Sequence, residues 1–410
     1  MATFIHLDGT TLEGGGQLLR IAVGLSALTT TPIRITDIRG NRSGGGGLKL
    51  QHLTGVQWLS KACGARTMGA EKKSKTLDFW SEDHDSSSAK LSFGGPKLET
   101  LIDIGTPGAI GLVFQAILPY ILFSGQASIS DEPFFLKIKG GTNVPNSPSI
   151  DYIQHVLLPM LEVIGLPPIS ADVHSRGWST GRNEIGAVSF KVTPLAKGSC
   201  LPAFKLTERG TLTKITARIL GTRNGEKHFY RELATAVEVA FPDVDLEVHF
   251  EPSGHEKRLY LLLVADTSNG LKLGRDWLYS RRISSEEHAI TEIVSKVVDD
   301  LLKETRHGGC VDEYMRDQIA VFQALAKGRS EAFGGRSKID ELLMPSLHAQ
   351  TAQWVSSEML GVRWSDSGGC EGIGYAVGEQ YSERESPNPV SRKATTNEDD
   401  LDAKMENLEL

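Results

Sequence analysis

The feature that most constrains this chain is a pattern that comes round twice. The first pass runs "HLDGTTLEGGGQLLRIAVGLSALTT", "PIRITDIR" (32–39), "GNRSGGGG" and "LKLQHLTGVQWLSKACG". Leu18, Ile21, Leu25 and Leu28 recur at spacings of three and four, which gives a helix an apolar stripe; Gln17 and Arg20 share its other face. In "PIRITDIR" Ile33 and Ile35 alternate with polar residues and read as a strand. The second pass repeats the order: "GTPGAIGLVFQAILPYILF" as a Gly-led helix, "PFFLKIKGGT" as a strand ending in glycines, "NVPNSPS" as a loop and "IDYIQHVLLPMLEVIG" as a helix. A fainter third pass pairs "VDEYMRDQIAVFQALAKG" with "HAQTAQWVSSEML". Repetition on this scale predicts an α/β fold of similar layers around one another.

The expected division is a body formed by the first two passes (1–196), an inserted αβ domain (197–282), the third pass (283–380) and a tail (381–410). In the insertion "EKHFYRELATAVEVAF" reads as helix, and "LEVHFEP" and "RLYLLLVAD" as strands. The tail is polar and poor in aromatics, a disordered composition. It carries four cations against eight acids, so it holds −4 of the −7 net charge. A chain of that sign does not coat nucleic acid nonspecifically, yet the body could still hold a local basic site. Cys63, Cys200, Cys310 and Cys370 form no CxxC pair, which indicates neither a zinc site nor a disulfide framework, and a reducing compartment is the simple reading. "MATFIHLDGT" lacks the basic and apolar regions of a secretory signal. The most apolar segment, "IGLVFQAILPYILF" (110–123), is too short to span a bilayer and holds Gln115 and Pro119, so a buried helix and no membrane role are expected.

Four stretches carry chemistry. "EGGGQLLR" (13–20) sets a carboxylate, three glycines, an amide and a guanidinium at a helix start. Such a start offers backbone N–H groups and a favourable dipole to a phosphate; Glu13 could hold a divalent cation on it and Arg20 could fork onto its oxygens. The stretch matches neither the Walker A nor the dinucleotide fingerprint, and a purely structural Gly run is the alternative. "RGNRSGGGGLKLQH" (39–52) adds Arg39, Arg42, Gln51 and His52, a set suited to a doubly charged terminal phosphate or simply to a solvated turn. In "GGTNVPNSPSIDY" (140–152), Pro148 and Tyr152 are four apart and could sandwich a base or merely pack. In "VDEYMRDQ" (311–318), Tyr314, Asp317 and Gln318 share a helical stretch; the acid and amide could bond an adenine edge or ribose, or face solvent.

His348, in "MPSLHAQTAQWV" (344–355), is the remaining candidate. By itself it is compatible with packing. As a reactive group it has three assets: it is largely neutral near pH 7, it can form a covalent intermediate, and a helix start beneath it would help hold a phosphate under attack.

Taken together, "LDGTTLEGGGQLLR", "IRGNR", "LKLQHLTGV", "IGLVFQAILP", "GGTNVPNSP", "LGRDWL", "VDEYMRDQ" and "LHAQT" resemble the RNA 3′-terminal phosphate cyclase family, in order and over about residues 5–360. The resemblance implies three repeated βαβαββ-type units, like the C-terminal domain of translation initiation factor three, with a smaller inserted αβ domain. It implies conversion of an RNA 3′-phosphate to a 2′,3′-cyclic phosphate with ATP and a divalent metal (Mg or Mn), through AMP carried on a histidine. Position by position, His348 matches the nucleophile and Glu13 the metal-binding glutamate. Arg20, Arg39, Arg42, Gln51, His52 and Gln115 match the phosphate-binding cleft, Gln115 being counted on the nucleotide side. Pro148, Tyr152, Tyr314, Asp317 and Gln318 match the adenosine pocket. The implied partner is RNA with a 3′-phosphate end, without DNA-specific binding, and the implied location is the nucleus (nucleoplasm), with the cytoplasm as second choice. The family's Lys-Pro-Gly-Leu run is "SGGGGL" here, its Tyr-Pro-x-Gly-Gly-Gly run is "WSTGRNEIG" (178–186), and "EAFGGRSKIDELLMPS" before His348 is unusual. A noncatalytic cyclase-like scaffold in ribosomal RNA processing is the alternative, but such relatives lack the histidine. An enolpyruvyl transferase would need motifs that are absent.

Overall fold

A computed structural model of the chain describes residues 3–42, 44–81, 99–125, 133–379 and 381; the expected tail lies almost wholly outside them. The fold is mixed α/β, with several small mixed sheets.

The N-terminal part runs β1 (Ile5–Asp8), α1 (Gly16–Thr29), β2 (Ile33–Thr36), α2 (Leu50–Cys63), β3 (Arg66–Met68) and β4 (Leu77–Trp80). Its sheet is ordered β1-β2-β4-β3, with β1 and β2 parallel and the other pairs antiparallel. Next come β5 (Glu99–Asp103), α3 (Ile110–Phe123), β6 (Phe134–Gly140), α4 (Ile150–Tyr152), a π-helical turn (Ile153–Leu157), α5 (Leu158–Val163), β7 (Ile169–Ser175) and β8 (Gly186–Val192). The second sheet, β5-β6-β8-β7, has the same order and strand senses as the first. A parallel pair needs a crossover connection, and α1 and α3 supply it.

Strand β9 (Lys205–Leu206) joins β14 (Lys327–Ala332) and β15 (Gly369–Ile373) in a third sheet, beside α8 (Glu313–Leu325) and α9 (Leu347–Leu360). Between them lies a separate sheet, β11-β10-β12-β13, of β10 (Leu212–Gly221), β11 (Asp245–Pro252), β12 (Tyr260–Thr267) and β13 (Lys272–Leu278). It is covered by α6 (Glu226–Ala240) and α7 (Glu286–Arg306).

Two buried clusters result. One is formed by Ile215, Phe229, Leu263, Ile290, Val297 and their neighbours on the separate sheet and its helices. The other holds the remaining body, including Leu201, Phe204 and Leu206, together with Tyr260, Leu262 and Val264 from the separate sheet. Against the expected 197–282 boundaries, residues 201–206 thus pack with the body, while α7, beyond 282, packs with the separate sheet.

At the centre of the larger cluster α1 contacts α2, α3 and α9, and α8 packs on α9. Helix α3 is buried all round except Leu112 and Gln115, as a helix without a polar face must be. Gln115 is thus the polar exception, and it faces Arg20 of α1 at 2.7 Å. No helix among the described residues is long and apolar enough to cross a membrane.

Candidate active site

The site is built where helix starts from distant parts of the chain meet. The loop before α1 is tied to α9: the Glu13 amide donates to the Thr351 hydroxyl at 3.2 Å, across 338 residues of sequence. This brings His348, in the first turn of α9, to Glu13. Nδ1 of the ring lies 3.9 Å from Oε1 of the carboxylate; the imidazole is 49% exposed and the carboxylate 4%. Arg42 Nη2 donates to the same Oε1. Ser346 caps α9, its hydroxyl accepting from the Ala349 amide at 3.3 Å, so the helix start under His348 is well formed. Loss of solvation, with the fields of Arg20 and Arg42, drives the His348 pKa down to about 4, leaving a neutral imidazole at pH 7.

Crowding explains the glycines of "EGGGQ". A Cβ on Gly15 would lie 2.0 Å from Glu13 Oε1, and one on Gly16 would lie 2.7 Å from His52 Nε2 and 2.8 Å from Arg20 Nη1. Without side chains there, His52 and Arg20 converge on the start of α1. The Lys49 amide donates to His52 Nδ1 at 3.3 Å, and burial beside Arg20, Arg39 and Lys49 lowers the His52 pKa to about 3. A neutral ring accepting at Nδ1 carries its proton on Nε2, so it presents a donor.

Arg20 is held by two amides. Gln17 Oε1 accepts from its Nη2 and Gln115 Oε1 from its Nε. Burial lowers its pKa to about 10, against the pull of Asp317, so it stays charged at neutral pH. The Nε2 groups of Gln17 and Gln115 are buried without a hydrogen-bond partner in the protein. Buried unpaired donors are costly, and two of them flanking a buried guanidinium make a place where an anion's oxygens would be satisfied.

Arg39 adopts a left-handed φ of 57° and donates to the Gly47 carbonyl at 3.1 Å. Gln51 points elsewhere: its Oε1 accepts from the Ala109 amide at 3.0 Å, fastening α2 to the start of α3. Lys49 is the cation the motif reading passed over. Burial, then Arg39 and Arg42, lower its pKa, so its ammonium shares their field beside the Gly-rich loop. The signal for it was that Lys49 is the third cation of "RGNRSGGGGLKLQH", after Arg39 and Arg42, next to the stretch where the family's lysine is missing.

On the other side of Arg20, Asp317 and Gln318 are nearly buried and bond each other, Nε2 to Oδ1, at 3.0 Å. Burial raises the Asp317 pKa to about 7, opposed by the Gln318 bond and by Arg20. Tyr314 is half-buried and Pro148 is partly exposed. Tyr152, expected to sandwich a base with Pro148, is instead fully buried. Its hydroxyl donates to Asp312 Oδ1 at 2.7 Å, and its ring meets Tyr314 edge-on at 5.6 Å. The physical reason is a close approach by β13: a Cβ on Gly274 would lie 3.1 Å from the Tyr152 ring. Tyr152 is therefore a core residue in contact with Tyr314.

Glu13 is the carboxylate nearest His348 and could take a divalent cation. Among the described residues, no group of three or more His, Cys, Asp or Glu is placed to hold a metal. That donor set suits a magnesium-like ion, which takes one or two carboxylates and finds its other ligands among substrate phosphates and water.

A neutral imidazole beside a carboxylate, with Arg20 and Arg42 in its field and Arg39 and Lys49 beside the neighbouring His52, is an arrangement suited to phosphate in an α/β protein. Comparison with known proteins makes this specific. The family model described as RNA 3′-terminal phosphate cyclase matches residues 11–365. Proteins of that name from Methanosarcina mazei and Staphylothermus marinus are 32% and 33% identical, covering 88% and 87% of this chain and 96% and 92% of their own. One from Drosophila melanogaster is 28% identical over 90% of this chain and 97% of its own. The chain belongs to the RNA 3′-terminal phosphate cyclase family, and it is an enzyme of that type.

Proposed function

We propose that this protein uses ATP to convert an RNA 3′-phosphate into a 2′,3′-cyclic phosphate, with AMP carried covalently on His348. The observation that supports this most is the pairing of His348 with Glu13 across the chain, 3.9 Å apart on a start of α9 that also faces Arg42. Nδ1 faces the carboxylate, which leaves Nε2 as the attacking nitrogen. It bonds to the α-phosphorus of ATP, and the bond to the pyrophosphate oxygen breaks. The AMP then passes to a 3′-phosphate oxygen of the RNA, releasing the imidazole. Finally the 2′-hydroxyl oxygen attacks the activated 3′-phosphorus, losing its proton as AMP leaves.

Arg20, with the Gln17 and Gln115 amides, would hold phosphate oxygens; Arg39, Arg42 and Lys49 would neutralise the second phosphate brought in by RNA. Glu13 would hold a divalent cation, which supplies charge neutralisation on the phosphates. Pro148, Tyr314, Asp317 and Gln318 would take adenosine. The intramolecular last step has a large proximity advantage. In this reading, the equal strand orders of the first two sheets reflect repeated units, the sheet of β9, β14 and β15 the third, and residues 212–306 the insertion.

The test uses α-labelled ATP with Mg or Mn and a 3′-phosphorylated oligoribonucleotide. Acid-labile label on the protein and a phosphatase-resistant RNA end are expected. An oligodeoxyribonucleotide 3′-phosphate should stop after adenylylation. Alkali-labile but acid-stable label, or cyclisation in the His348→Ala chain, would refute the histidine route.

A further inference from the structure

Three consecutive residues of β13 reach out of the separate sheet and touch both sides of the adenosine pocket proposed above. The Gly274 amide donates to Asp312 Oδ2 at 2.8 Å. Asp312 is the N-cap of α8, the helix carrying Tyr314, Asp317 and Gln318; it also accepts from the Met315 amide at 2.8 Å and from Tyr152. Asp276 Oδ2 accepts from the Ser149 hydroxyl at 2.6 Å and from Tyr260 at 3.0 Å. Ser149 caps α4 and directly follows Pro148.

Between these two, Arg275 lays its guanidinium over the Tyr314 ring, with Cζ 4.5 Å from the centroid. The guanidinium is anchored by Glu304 of α7 and by Glu313, the latter at 2.8 Å. Tyr314 is therefore covered on one face by Arg275 and held in a T-shaped contact with Tyr152. Arg275 thus takes one of the two faces on which a base could stack.

We infer that Arg275 is a positioning residue for nucleotide recognition: it aligns Tyr314 for the adenine, so the separate sheet takes part in selecting the substrate. The inference rests on the assignment of Tyr314 to the adenosine pocket. A planar guanidinium over a ring does more than supply charge. Arginine stacks flat, whereas lysine presents a hydrated point charge that does not hold a ring's orientation. An account in which Arg275 merely neutralises Glu304 and Glu313 would be satisfied by lysine.

The test is Arg275→Lys in the full chain, with Arg275→Leu as the harsher change. Binding of ATP and of tripolyphosphate, which has no adenosine, is measured for each, together with KM and kcat. For Arg275→Lys, ATP binding should weaken roughly fivefold, the worth of one cation–π contact. Tripolyphosphate binding and kcat should stay within about twofold. Arg275→Leu should weaken ATP further; if it does not fold, the lysine variant decides alone. ATP binding equal to wild type in Arg275→Lys would overturn the inference, as would parallel loss of ATP and tripolyphosphate. A wild-type chain that binds tripolyphosphate and ATP equally well would remove the adenosine pocket itself, and the inference with it.

Discussion

At the scale of single residues, the site depends on which protons are present. His348 is neutral at pH 7 because desolvation and two guanidinium groups oppose its charging, and a neutral nitrogen is what can attack phosphorus. The His348→Ala chain should fold normally, since the ring is half exposed, yet take no label from α-labelled ATP. Its cyclisation rate should fall by at least about a thousandfold, in the range expected for a lost nucleophile.

Asp276 gives a residue-scale prediction of a different kind. Burial raises its pKa to about 6 from 3.8, against the donors Ser149 and Tyr260. The folded state thus prefers the neutral acid: this contribution is complete below pH 3.8 and lost as pH rises through about 6. Asp276→Asn keeps an acceptor for both hydroxyls and cannot ionise. Its stability relative to wild type, from urea midpoints, should therefore improve by about 2 kcal/mol between pH 4 and pH 7.5. A constant difference across that range would rule the assignment out.

At the scale of elements, α1 and α3 touch at Gly24, where a Cβ would lie 2.8 Å from the Ala116 carbonyl oxygen. Gly to Ala within a helix ordinarily stabilises by about 1 kcal/mol. Gly24→Ala should instead destabilise by about 1–3 kcal/mol, the cost of overpacking, and should loosen the Arg20–Gln115 bond one turn away. Thermal denaturation and the ATP KM would both register it. Ser346→Ala removes the cap of α9 and should cost about 1 kcal/mol, with weaker adenylylation because His348 sits on that first turn.

Much at this scale was readable beforehand. The spacing of Leu18, Ile21, Leu25 and Leu28 anticipated α1, and the all-apolar 110–123 run anticipated a buried α3. Both patterns are local consequences of side-chain periodicity. Tyr152 was not readable: nothing near it in the chain announces that Gly274 of another sheet will press on its ring. Nor was the point where the separate unit begins, because β9, just before it, takes its partner from β14, more than a hundred residues on.

At the scale of the whole molecule, the separate sheet lies between the two buried cores: Ile215, Leu261 and Leu263 belong to the smaller one, and Tyr260, Leu262 and Val264 to the larger. Leu263 is fully buried in the smaller one and is the register partner of Arg275. Leu263→Ala should cost about 2–5 kcal/mol. Calorimetry should then show two transitions, with the one belonging to the 212–306 unit moved down and ATP affinity reduced. A single transition shifted as a whole would mean that the two cores unfold together.

What the chain carries in its own order is the chemistry: a carboxylate before three glycines, arginines around a second glycine loop, a histidine behind a serine cap. Those are local patterns, set by backbone freedom and by the charge that a phosphate demands. What only the tertiary structure decided is which groups meet. Residues 13 and 348 come together because α1 packs on α9, and Arg275 reaches Tyr314 because the separate sheet packs through β13 on α4 and the π-helical turn. Packing of apolar faces drives both meetings, and it acts on surface area buried between distant segments, about which spacing along one segment is silent.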